Sequence, residues 1–134
     1  MISKHLLQRI FGTLILAAPD EAQARAMVDR AESTLGRNDA CLFCHVMLAV
    51  PAAIACARVG DIEHAHRHLQ SAERSAAMWD GTSWQAALLE ARAQIAAAEG
   101  ASADAVALRR DAASLFETAG QPLDAARLRA LVTA

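Results

Sequence analysis

At 134 residues and a formal net charge of −2, the chain has room for one core and carries no broad basic field to draw nucleic-acid backbones or anionic membranes. Hydrophobic residues make up 54% of it, but much of that is alanine, with three Phe, two Trp and no Tyr, so the core must come from closely spaced helices. Alanine favours helix and strand-forming residues are sparse, which predicts an all-α fold, and three cysteines argue for a reducing cytoplasm rather than a secreted disulfide scaffold.

Turn signals at Pro19-Asp20, Gly36 to Asp39, Gly60-Asp61, Asp80-Gly81, Gly100 and Gly120-Gln121-Pro122 divide the sequence into seven helical segments. The first, about residues 3–17, places Lys4 and Arg9 before an apolar run from Ile10 to Ala18, the outline of an export signal ending at Ala22-Gln23-Ala24. The helical pattern continues past Pro19, so the stretch reads as helix instead. The second, about 20–35, carries Ala24, Met27, Val28, Ala31 and Leu35 at three-to-four-residue steps. In the third, about 41–59, Pro51 interrupts the apolar run from Val46 to Ala57, predicting either a kink or the start of a second helical piece. The fourth, about 61–78, has Ile62, Ala65, Leu69, Ala72 and Ala76 on one face and Arg67, Gln70 and Arg74 elsewhere. Trp84, Ala87, Leu88, Ala91 and Ile95 form the stripe of the fifth, about 82–99. Ala105, Leu108, Ala112 and Leu115 do so in the sixth, about 102–119, and a short seventh covers about 122–132. Asp20, Asp61, Thr82 or Ser83, and Ser102 are the expected N-caps. No apolar run reaches the length of a membrane span.

Aligning Pro19 with Gly60 and Gly100 also aligns Ala24 with Ala65 and Ala105, and Ala31 with Ala72 and Ala112. Small residues recurring about every 40 positions let helix pairs approach closely and require stacking to bury their apolar faces. The expectation is a single domain over residues 1–134, a right-handed superhelix of about three antiparallel helix pairs with a C-terminal capping helix. This is a tetratricopeptide-like arrangement.

The stretch Cys41-Leu-Phe-Cys44-His-Val-Met-Leu-Ala-Val-Pro51-Ala-Ala-Ile-Ala-Cys56-Ala-Arg-Val-Gly60-Asp61, then His68-Leu69 with Ala72-Glu73, resembles the C-terminal helical-repeat region of bacterial LuxR-type and ATPase-linked transcriptional regulators. Trp84-Gln-Ala-Ala-Leu-Leu-Glu90-Ala-Arg92 and Gly120-Gln-Pro-Leu-Asp124-Ala-Ala-Arg127 add to the likeness, which covers roughly residues 20–130. It implies a sensor or docking platform. This sequence holds no phosphate-binding G-x-x-x-x-G-K-[ST] loop and no basic recognition helix, so ATP hydrolysis and operator binding are not implied.

Cys41-x-x-Cys44-His45 has the form of a haem attachment site, which would need export and a large apolar cleft. A second reading is a redox pair, although the thioredoxin-like context of alternating strands and helices is missing, and a third is part of a zinc site with Cys41, Cys44 and His45 as ligands, although one Cys-x-x-Cys supplies only two of four. Buried thiols that only pack, and histidines on a solvated face, are the plainer alternative. The carboxylates Asp20, Asp61, Asp80 and Asp104 stand at helix starts, where capping explains them, and no catalytic cluster emerges. Trp79 and Trp84 flank the Asp80-Gly81 turn, either as anchors for a partner or as core.

The sequence therefore predicts a non-catalytic protein-interaction or sensor module linked to transcriptional regulation. Its partners would be a protein or regulator domain, or a second copy, with neither nucleic acid nor membrane bound directly. The alternative is a metal- or redox-responsive module, with zinc, at Cys41 and Cys44.

Overall fold

The computed structural model describes residues 3–36 and 41–134, and these form seven α-helices without a strand. They are α1 (Lys4–Leu16), α2 (Glu21–Leu35), α3 (Val46–Arg58), α4 (Ile62–Ala76), α5 (Ser83–Ala98), α6 (Ser102–Thr118) and α7 (Pro122–Thr133). None is long and apolar enough to cross a membrane. Asp20, Asp61 and Thr82 cap α2, α4 and α5 with side-chain oxygens, as their chemistry predicts. Ser3 does the same for α1. Ser102 is instead the first residue of α6, whose N-cap is Ala101.

Three of the connections are built alike. After α3, α5 and α6 the chain turns at Gly60, Gly100 and Gly120, with φ of 78°, 85° and 76°, a left-handed region that a Cβ disfavours. In each, the residue after the glycine donates its N–H five residues back, from Asp61 to Cys56, Ala101 to Ala96 and Gln121 to Phe116, at 2.8 to 2.9 Å. This Schellman closure satisfies carbonyls that the helix end would leave bare and reverses the chain within three residues. Ala65, Ala105 and Ala125 follow these glycines at equal spacing, and all three are buried.

Neighbour relations follow from the turns. α1, α3 and α5 lie in a row, each packed on the next, and α2, α4 and α6 back onto that row; the α2 and α4 backbones stay apart but their side chains meet, His68 Nε2 lying 2.9 Å from Glu32. α7 packs on α6 and reaches α5 through the Arg127 guanidinium, which donates to both Glu90 carboxylate oxygens at 2.7 and 2.9 Å. The core is accordingly segmented. Phe11, Ile15, Val28 and Leu48 fill the space between the first two hairpins, Val50, Ile54 and Leu88 the next, and Phe116 and Leu128 the last. The six aligned alanines are all buried, which is what allows helices with so few large side chains to close on one another.

α3 departs from expectation at two points. It begins at Val46, not near Cys41, because Val46 N–H is taken by the buried Ser75 hydroxyl at 2.8 Å, and the Phe43 carbonyl by the Trp79 indole at 2.6 Å. It also runs unbroken through Pro51, as one α-helix. Pro51 has no N–H for the Met47 carbonyl, and that carbonyl faces Gly12 of α1 so closely that any Cβ there would collide with it. Eleven of the thirteen residues of α3 are buried, in keeping with a helix surrounded by α1, α2, α4 and α5.

Candidate functional site

Two places concentrate chemistry. The first is the turn from Cys41 to His45 that leads into α3. The Cys44 N–H donates to the Cys41 carbonyl at 3.1 Å, and the Cys44 carbonyl accepts from Met47 N–H at 3.1 Å, so the two thiols project from one compact turn. The turn is pinned from outside. Phe43 stacks on Trp79 with ring centroids 4.2 Å apart, and its carbonyl accepts from Trp79 Nε1 and from Ser75 Oγ. Trp79 is thereby explained: the sequence places it at a junction, and the fold uses it to hold the cysteine turn against the end of α4.

Cys41 and Cys44 are half-buried, and with the exposed His5 of α1 they bring two sulfurs and an imidazole nitrogen within 4.8 Å of one another. The backbone N–H of Cys44, aided by that of Phe43, holds the Cys41 thiol below its usual range. Burial, and then hydrogen bonding to Cys41, push the Cys44 thiol up. Cys56 is of another kind, fully buried and pushed up to about 11 by that burial. It is a packing group.

His45, the expected third member of the set, turns inward instead. The Gln8 amide, itself 1% exposed, donates to its Nδ1 at 3.3 Å, and burial, then Arg74, lowers its pKa. His5 was invisible to sequence reasoning because nothing in local spacing links it to a cysteine pair 36 residues on. The helical register that places it is set by how α1 crosses α3.

The remaining histidines divide. His66 is exposed beside Glu99, and His64 Nδ1 lies 2.8 Å from the Asp61 carboxylate that caps its helix. His68 does not lie on a solvated face. Its side chain is 11% exposed, with Nε2 2.9 Å from Glu32 but poorly aligned for a hydrogen bond.

The second place is a groove of about 810 Å³ running along the α1, α3, α5 row and out to α7. Thr13 and Leu16 of α1, Met47, Val50 and Ile54 of α3, and Trp84 and Ala87 of α5 give it an apolar floor, with Trp79 and Phe116 beside them. Glu90, Asp124 and Arg127 form an ion-paired cluster at one end. Arg9 and Arg58 line it too and carry no ion pair among the described residues. Both tryptophans singled out in the sequence therefore border the groove, half-buried, combining a core contact with an exposed edge.

No family model, curated protein or solved structure matches this chain.

Proposed function

We propose that the chain is a non-catalytic docking module, a tetratricopeptide-like stack of helical hairpins whose groove takes a segment of a protein partner. The observation that carries this reading is the order of neighbours. α1, α3 and α5 pack in a row while the backbones of their partner helices stay apart, and the groove opens along that row. A row of helices joined edge to edge presents a continuous rigid wall, the kind of surface on which a peptide gains contact without reordering its receptor. The apolar floor suits an anchoring aliphatic or aromatic side chain, and Arg9 and Arg58, which carry no ion pair among the described residues, favour acidic flanks. The likeness to regulator C-terminal regions supports a regulator domain as the partner, and the net charge of −2 supports protein over nucleic acid.

Selection of a displayed peptide library against the folded protein tests this. Enriched peptides are expected to carry an apolar anchor with acidic neighbours, to alter the emission of Trp79 and Trp84, and to lose binding to Thr13→Glu and Gln121→Glu, two exposed lining positions. Peptides that bind these variants as tightly as the parent protein would sink the reading.

A further inference from the structure

We propose that His5, Cys41 and Cys44 form a binding site for one zinc-class divalent cation, with a water or an external donor as fourth ligand. The site does not rest on the groove reading, and the two are tested separately.

The donor set is the first ground. Two thiolates and an imidazole select zinc and its neighbours over magnesium or calcium, which require oxygen. The second is geometry. Ligand atoms around tetrahedral zinc lie about 3.7 Å apart, given Zn–S near 2.3 Å and Zn–N near 2.0 Å. The three atoms here already lie within 4.8 Å of one another, and the exposed His5 side chain can close the remainder by rotation about its own bonds. The third is that the cysteine turn is built before any ion arrives. Trp79, Ser75 and the Phe43 ring fix its backbone, so two of three ligands arrive without an ordering cost.

Charge is consistent as well. Two thiolates neutralise the dication, so the assembled site adds no net positive charge near the N-terminal ends of α1 and α3, where helix dipoles would oppose it.

The consequence reaches beyond the turn. His5 belongs to α1, which also supplies Arg9, Thr13 and Leu16 to the groove. An ion at this position would tie the start of α1 to the entry of α3 and stiffen one wall.

Cobalt(II), added to the reduced full-length protein, reads the site directly. Thiolate-to-metal charge transfer and intense tetrahedral d–d bands should appear, saturate at one equivalent, and vanish on zinc addition. His5→Asn, on an exposed position that leaves the fold intact, should weaken zinc binding ~100-fold or more, since even residues behind the ligands are worth ~10–100-fold. Cys41→Ser and Cys44→Ser should abolish the charge-transfer band, while His45→Asn should leave affinity unchanged. Zinc should also raise the melting temperature of the parent protein and not of His5→Asn. Absence of the charge-transfer band in folded, reduced protein overturns the proposal. So does full affinity in His5→Asn, or a loss in His45→Asn alone.

Discussion

Asp61 shows how much one side chain can do in a fold with few large ones. Its carboxylate caps α4, accepts from both Arg25 Nε and Nη2 at 3.1 and 2.9 Å, and meets His64 Nδ1 at 2.8 Å. Burial pushes this carboxyl up, but the bonds from Arg25 and His64 outweigh it and hold it below the usual carboxylate range. Asp61→Ala removes cap and ion pair together and is expected to cost ~1–2 kcal/mol in urea denaturation at neutral pH. Arg25→Ala, which leaves the cap, should cost less. Equal losses would show that the cap adds nothing. Because the folded carboxyl titrates lower than the unfolded one, its contribution is present above about pH 4 and is lost as pH falls through the folded value.

Between elements, the decisive contact is α1 on α3. In an isolated helix Gly12→Ala would be favourable by ~1 kcal/mol. Here the added methyl meets the Met47 backbone carbonyl, which cannot rotate away as a flexible side chain would. The expected net result is a loss of ~1–3 kcal/mol, the range for overpacking, read as a lower denaturation midpoint with an unchanged slope. A neutral or stabilised Gly12→Ala protein would mean that the two helices do not approach this closely. Gly12 and Pro51 belong to one arrangement: a proline that withholds its N–H from Met47, and a glycine that lets α1 close over the carbonyl so released. In sequence they are 39 residues apart, and only Pro51 stands out there, as a kink or the start of a second helical piece.

For the whole molecule, buried histidine sets the pH response. Burial lowers the His68 pKa, with His45 and Arg67 adding to it and Glu32 opposing. The unfolded chain therefore takes up its proton first as pH falls. Stability should be full above about pH 6.5 and decline as pH falls below it, levelling once the folded imidazole is itself protonated. Denaturation midpoints between pH 7.5 and 5 should show the decline, and His68→Gln should reduce it, the remainder belonging to His45, whose pKa burial also lowers. An unaltered profile in that variant would assign the effect elsewhere. The sequence by itself determined the all-α class, the seven helices to within a few residues, and the turns at Gly60, Gly100 and Gly120. Helix propensity, capping and the need for a left-handed residue are local properties, each written within a few residues. Only the tertiary structure decided that α3 starts at Val46, that Trp79 clasps the Phe43 carbonyl, that His5 and not His45 joins the cysteines, and that a groove follows α1, α3 and α5. Those outcomes depend on the angle and register at which helices cross, which are summed from many small contacts between residues distant in the chain and leave no local signature.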